Sequence, residues 1–184
     1  MRKQTMENVN KIQILGHDYY EKLNNRQRNN YHSVLAVVSK NGYYLDTLPE
    51  QFKNDKTIVL AAVSQNANVL ECVPPQFKND KDVVLAAVKN NGNTLQYASD
   101  NMRNNYDVVF AAISDFDFSF CYASEELQNH PTLLEFFCNS VPENYHTNLF
   151  YIECQNKLSI IKENKWLEEH ISINSKIVDK ISKF

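Results

Sequence analysis

The fold is decided by residues 79–92, which read NDKDVVLAAVKNNG. Asn and Asp are typical helix N-caps, because their side-chain oxygens accept hydrogen bonds from the free N–H groups of the first turn. Asp82 then places a negative charge near the positive end of the helix dipole. The apolar middle predicts a helix that begins near residue 80 and is covered on every side. Asn-Gly predicts its end, here and at Asn41-Gly42 in an earlier row, with Gly92 and Gly42 each supplying a left-handed residue.

The same stretch recurs every 25 residues without an insertion. Asparagine opens each of five rows, at Asn29, Asn54, Asn79, Asn104 and Asn129. Two apolar columns follow in register, at Leu35, Leu60, Leu85 and Phe110, and at Leu45, Leu70, Leu95 and Phe120. Such a period is the signature of a repeat protein, whose stacked units share one continuous core. We therefore predict an all-α fold, a short α-solenoid of tandem 25-residue helix-turn-helix repeats with a C-terminal helical cap.

Each unit is predicted to contain three parts. The long helix is followed by a short second helix that carries the Leu45 column. A single turn then returns one apolar side chain to the core, at Phe52, Phe77, Met102 or Leu127. Small residues allow close packing, so we expect contacts between repeats at Ala61, Ala86 and Ala111. Ala67 stands in the glycine column of the second unit, which predicts a less ideal helix end there.

The pattern divides the chain into three segments. Residues 1–26 form an N-terminal cap, a degenerate repeat with Tyr20 in the leucine column and an apolar face made of Val9, Ile12 and Leu15. Residues 27–141 are the tandem repeats. Residues 142–184 form a C-terminal helical cap.

The C-terminal cap is predicted to hold two amphipathic helices, at residues 147–162 and 164–182. Their apolar faces consist of Leu158, Ile161, Trp166, Leu167, Ile171, Ile177, Val178 and Ile181. Trp166 is expected to act as a lid over the open end of the core rather than as a binding residue.

Residues 79–92, together with LQYAS at residues 95–99, resemble the consensus of an uncharacterised 25-residue helical repeat family. That family is a domain of unknown function found in giant viruses of amoebae, amoebal intracellular bacteria and some protists. The resemblance covers roughly residues 27–140 and is closest in the third unit. It implies a helical-repeat fold and a host-interaction setting, and it brings no catalytic residues.

Composition and charge exclude several classes of protein. The net charge is −3, so no overall field would attract nucleic acid. The longest apolar run is six residues, far short of a membrane span, and no secretory signal is recognisable. The four cysteines form no C-x-x-C pair and are interpreted as reduced thiols. We therefore expect a cytoplasmic protein without a membrane segment, located in the host cytosol if it is a viral or bacterial effector.

No catalytic, cofactor or metal site emerges from the sequence, and we expect no enzyme. The histidines, at positions 17, 32, 130, 146 and 170, lack metal-ligand spacing. The column that follows the asparagines is the capping column, which consists of Asn30, Asp55, Asp80, Asn105 and His130. A capping role is therefore favoured over catalysis for His130, and a reactive Cys121/His130 pair is disfavoured. With three glycines in the chain, a phosphate-binding loop is hard to build.

Four positions are left for an interaction surface. Tyr31, Lys56, Lys81 and Tyr106 lie at the N-terminal edge of the long helices and are not needed for the core. The asparagines of the first column could instead read a repetitive ligand. We favour structural repeat caps there, each capping its helix or bonding to the preceding unit. Half-buried packing is expected for most of Tyr43, Tyr44, Tyr97 and Tyr122.

Two functions follow from these features. The favoured one is a non-enzymatic scaffold for protein–protein interaction, a monomer or weak oligomer whose protein partner is unknown. The alternative is nucleic-acid or ribonucleoprotein binding through the basic N-terminal end, formed by Arg2, Lys3, Lys11, Lys22, Arg26 and Arg28. Tyr19, Tyr20 and Tyr31 would be available there for base stacking. Acidic neighbours dilute this patch, so nucleic acid is not favoured.

Overall fold

The computed structural model describes residues 2–15, 17–143 and 146–181, with side chains described at 3–15, 18, 20–143 and 146–169. Over these residues the chain is helical and contains no β-strand. The long helices are α1 (Arg2–Leu15), α2 (Tyr31–Lys40), α3 (Lys56–Gln65), α4 (Lys81–Val88), α5 (Tyr106–Asp115), α6 (Pro131–Ser140) and α7 (Leu149–Ile181). The predicted all-α repeat solenoid is confirmed. The chain divides into two compact units, Met1–Ser124 and Glu125–Phe184.

In the compact unit Met1–Ser124, the long helices of the repeats begin where the capping column predicts. Asp55 accepts the N–H groups of Thr57 and Ile58, and Asp80 does the same in the next repeat. Asn30 and Asn105 each accept one N–H group of the first turn. These bonds satisfy donors that a helix leaves without a partner, so the sequence fixes each start.

The second helix of each unit is a 3₁₀ helix. The four lie at Gly42–Thr47, Ala67–Glu71, Gly92–Tyr97 and Asp117–Tyr122. Five or six residues suit this tighter helix, which proteins use in short pieces. The predicted leucine column is buried in each of them, with Leu45, Leu70, Leu95 and Phe120 at most 1% exposed.

The single turns close each unit as expected. They are four-residue helices at Asn25–Arg28, Glu50–Lys53, Pro75–Lys78 and Asp100–Arg103, and a similar turn at Glu125–Gln128 opens the second unit. Phe52 and Phe77 are buried in the core of the first unit, and Met102 is half-buried. Leu127 is buried within the second unit.

The prediction of a left-handed glycine is wrong at both Gly42 and Gly92, because neither has a positive φ. A Cβ added to Gly42 would lie 2.4 Å from the Ala62 carbonyl oxygen, and one added to Gly92 would lie 2.2 Å from that of Ala112. Glycine is present because the next long helix passes so close. Asn41 and Asn91, one residue earlier, have extended backbone and are the N-caps of the 3₁₀ helices. The long helix before them ends at Lys40 in the first case and at Val88 in the second.

The predicted contact alanines are shifted by one position. Ala61, Ala86 and Ala111 are half-buried. The fully buried alanines are the next in each row, Ala62, Ala87 and Ala112. The carbonyl groups that approach the glycine column belong to this second set. The leucine side of each helix is also only half-buried, so these helices are not covered on every side.

The N-terminal segment begins with the helix α1, which carries the predicted apolar face only in part. In α1, Ile12 is fully buried and Val9 is half-buried, but Leu15 is 59% exposed and does not belong to the apolar face. Tyr20 is buried in the leucine column, as expected.

The second unit differs from the prediction in its last part. A single helix, α7, replaces the two helices expected at residues 147–162 and 164–182, because neither Gly nor Pro interrupts the segment. Its Leu158 packs in the core of this unit, whereas Trp166 is 56% exposed and does not act as the expected lid. The side chains of Ile171, Ile177, Val178 and Ile181 lie outside the described residues.

Candidate interaction surface

The lysines of the predicted surface bridge one repeat to the next. The Nζ atom of Lys56 lies 2.8 Å from carboxylate oxygens of both Asp80 and Asp82. The Nζ atom of Lys81 lies 2.6 Å from a carboxylate oxygen of Asp107. Both lysines begin a long helix, and their partners lie at the beginning of the following one. Their positions are therefore explained by contacts between repeats.

These ion pairs shift the titration of their members. Hydrogen bonds to Asp80 and Asp82 raise the pKa of Lys56. Desolvation alone would raise the pKa of Asp80, but hydrogen bonds from Lys56 and the Val83 N–H group lower it below its usual value. Exposed pairs contribute little stability in water. These pairs connect the start of one long helix to the start of the next.

A sequence signal for these pairs exists at a spacing of 26 residues. Lys56 and Lys81 are each followed after 26 residues by an aspartate. Tyr31 and Tyr106 are followed at the same spacing by Thr57 and Thr132. Where a long helix starts with lysine, the residue 26 positions later is aspartate. Where it starts with tyrosine, that residue is threonine. This covariation within the chain distinguishes structural lysines from tyrosines that remain to be explained.

The two tyrosines remain accessible. Tyr31 and Tyr106 are each 38% exposed, and Tyr31 makes an edge contact with His32. Tyr106 stacks on Phe110, with ring centroids 6.2 Å apart and an angle of 4° between the rings. Phe110 is 39% exposed although it occupies a column of leucines. Stacked, exposed aromatic rings are common at protein-binding sites.

A groove of about 540 Å³ runs beside this aromatic pair, between α4 and α5. Leu85, Phe110 and Ala111 supply its apolar lining. Lys89, Asp107, Ser114 and Asp115 also line it. The sequence did not predict this site, because a column of leucines is typical of a buried core. In the structure these leucines are only half-buried and Phe110 is exposed.

The asparagines of the first column lie at the C-terminal end of the four-residue helices, where Asn54 and Asn79 bond to the next repeat. Asn29, Asn54, Asn79 and Asn104 are C-caps of the four-residue helices. Asn54 accepts a hydrogen bond from Gln76 at 2.6 Å, and Asn79 accepts one from Ser99 at 2.7 Å. The expected bond to a preceding unit is wrong, because these partners lie 20 to 22 residues later. Asn129 donates its N–H to carbonyls of the turn before it.

Histidines and cysteines are scattered. Among the described residues, no three His, Cys, Asp or Glu side chains are grouped to hold a metal ion. His130 occupies the N-cap of α6 without a side-chain capping bond, contrary to the expected cap. Burial raises the pKa of Cys138, Cys121 and, to about 12, Cys154. The side chains of His17 and His170 lie outside the described residues.

At the basic N-terminal end, several groups are engaged within the chain. Lys11 pairs with Glu7 at 2.7 Å, and an Arg28 guanidinium nitrogen lies 3.3 Å from Glu21. Tyr20 is buried and donates its hydroxyl to the Arg28 carbonyl, so the expectation that it could stack on a base is wrong. The side chains of Arg2 and Tyr19 lie outside the described residues.

Capped long helices, 3₁₀ connections and a 25-residue register define a helical-repeat protein. The chain belongs to the family described as Domain of unknown function (DUF4116), whose model matches residues 34–78 and 80–128. Each match spans nearly two periods of the repeat, which agrees with the resemblance of the central units. Neither a curated protein nor a solved structure matches the chain. No helix in the described part of the chain is long and apolar enough to cross a membrane.

Proposed function

We propose that the chain is a non-enzymatic scaffold that docks another protein on the groove beside Tyr106 and Phe110. The stacked, exposed aromatic pair carries this proposal. Burying two such rings against a partner would remove apolar surface from water, and few contacts of this kind dominate most interfaces. The three preceding repeats place leucine where this one places Phe110, and the fifth row places Glu135, so the feature belongs to one repeat rather than to the architecture.

The groove favours a partner segment of defined chemistry. Its apolar lining, Leu85 and Phe110, suits an aliphatic or aromatic anchor. Asp107, which pairs with Lys81, and Asp115, which accepts the Gly92 N–H, line the groove with exposed side chains. Lys89 is the one lysine among the lining residues. Complementary charge would favour Lys or Arg next to the anchor of the partner. We therefore propose a basic segment with one large apolar side chain.

The setting is proposed from the resemblance of the repeats to those of giant viruses and amoebal bacteria. A partner in the cytoplasm of a host cell fits that setting.

Affinity capture from host-cell lysate tests the proposal when it compares matched variants. Phe110→Glu removes the anchor site, while Leu35→Glu makes the same change in the same column three repeats earlier. We expect a partner that survives nuclease treatment, is lost with Phe110→Glu and is retained with Leu35→Glu. Circular dichroism verifies that both variants fold.

Two results would contradict this function. Retention of every partner by Phe110→Glu would remove the proposed surface. Recovery of nuclease-sensitive material alone, with binding to RNA that weakens steeply as salt increases, would favour the basic N-terminal end and nucleic acid.

A further inference from the structure

A second cavity lies at the other end of the first unit and has a different chemistry. Its volume is about 260 Å³, and it opens between α1, the turn Asn25–Arg28 and the start of α2. The side chains that argue for a ligand are Asn8, Asn24, Arg26, Gln27, Asn30 and Ser33. Most protein pockets for small molecules are mainly apolar. Every residue that lines this cavity has a side chain ending in an amide, hydroxyl or guanidinium group, although the carbon atoms of these side chains also form part of the wall.

Ser33 is the anomaly that marks the cavity. Its column holds Ile58, Val83 and Val108 in the following repeats, all fully buried. Ser33 is 1% exposed, and its Oγ atom has no hydrogen-bond partner among the residues that the structure describes. A buried hydroxyl without a partner costs stability that the apolar residue of the other repeats would avoid. A bound ligand would satisfy it.

The amide groups around the cavity are oriented as donors. Asn24 accepts the Gln27 N–H through its side-chain oxygen at 3.0 Å, and Gln27 accepts the Asn24 N–H in return at 3.1 Å. Asn30 accepts the N–H of His32 at 3.1 Å. A backbone N–H can only be accepted by the oxygen of a side-chain amide, so these three bonds fix the amide orientations. The hydrogen-bonding parts of these amides that the three bonds do not use are their NH₂ groups, which are donors.

Charge adds to the same preference. Arg26 carries the single formal charge among the lining residues, all of which are described, and no carboxylate lines the cavity. Asn30 is the N-cap of α2 and Ser33 lies in its first turn, and the dipole of this ten-residue helix favours an anion there. Asn30 caps one first-turn N–H group, whereas Asp55 and Asp80 each cap two. The negatively charged caps of the later repeats are absent here.

We infer that this cavity binds a small oxyanionic ligand, held through its carboxylate or phosphate group. Arg26 and the NH₂ groups of Asn24, Gln27 and Asn30 donate to the anion, and Ser33 donates its hydroxyl from the cavity floor. Gln4 and Thr5 of α1 close the site from the other side. The volume limits the ligand to a small molecule.

Thermal unfolding of the full chain with inorganic phosphate, and separately with malonate, tests the inference against sodium chloride at equal ionic strength. Binding to the folded state raises Tm with ligand concentration. A rise with phosphate or with malonate supports the site and identifies the preferred group. No rise beyond the chloride control with either anion overturns it.

Three variants locate the effect. Arg26→Gln should weaken binding about tenfold, as expected for a lost charge-assisted bond. Lys11→Gln removes an equal charge outside the cavity and should leave the affinity unchanged. Equal losses in both variants would indicate general charge attraction and overturn the site.

Ser33→Val introduces the residue type of the later repeats. It should raise Tm without ligand, because an unsatisfied hydroxyl is replaced by an apolar group, and it should abolish the ligand-dependent rise. Ser33→Ala, which leaves more space, should also weaken binding. Unchanged ligand response in both Ser33 variants would overturn the inference.

Discussion

Replacing Gly92 by alanine tests the closest approach between two repeats. The new Cβ would lie 2.2 Å from the Ala112 carbonyl oxygen and 3.1 Å from the Phe116 backbone nitrogen. Both neighbours are backbone atoms, so no flexible side chain can move aside. The two repeats must therefore separate by about 1 Å to restore a normal van der Waals contact. The N–H of Gly92 also donates to the Asp115 carboxylate at 2.7 Å, a bond that the separation would stretch.

Two opposing effects set the magnitude. Overpacking of a well-packed interior costs about 1–3 kcal/mol. Alanine restricts the unfolded chain, and because Gly92 has no positive φ this contributes about 0.4–1 kcal/mol of stability. We expect the free energy of unfolding to fall by about 1–2 kcal/mol. With a typical urea m-value, this corresponds to a decrease in midpoint of about 0.5–1 M.

Urea unfolding followed by circular dichroism at a helical wavelength measures this change. Ala67 provides the reference, because it fills the same column one repeat earlier. The helix that passes it, α4, has eight residues, whereas α3 and α5, which pass the glycines, have ten. Ala67→Gly should cost no more than about 1 kcal/mol, the usual entropic effect. A Gly92→Ala protein as stable as wild type would refute the close-approach explanation.

Three further predictions concern charge, thiols and repeat number. Asp80→Asn keeps the cap oxygen but removes the charge next to Lys56. Because folding lowers the pKa of Asp80, its stabilisation is present above the unfolded pKa and lost as pH falls through the folded one. The stability difference from wild type in urea unfolding should therefore shrink between neutral pH and about pH 3, and a pH-independent difference would contradict this. A disulfide reagent should modify exposed Cys72 in the native protein, while Cys154, buried and with a pKa of about 12, should react only after unfolding, as peptide mass spectrometry will report. Deleting residues 77–101 should leave a shorter folded protein by circular dichroism, because the cut removes one period and preserves the register; complete unfolding would argue against the solenoid.

The candidate surface was only partly predictable. The sequence placed Tyr31, Lys56, Lys81 and Tyr106 on one edge, but it did not reveal that both lysines are used between repeats. The exposure of Phe110 could not be predicted, because an apolar column has the same sequence pattern whether its side chains are buried or exposed. The polar cavity had a visible signal, since Ser33 interrupts a column of apolar residues.

The sequence by itself determined the period, the start of each long helix and the buried leucine column. These features depend on local capping and on apolar residues that recur in one register. Both can be read directly from the amino-acid sequence. Tertiary structure decided why Gly42 and Gly92 are glycine, which alanine of each pair is buried, and which side of the long helices stays open. Those properties depend on how closely the next repeat approaches, a distance set by the packing of two stacked units rather than by the residues of either one.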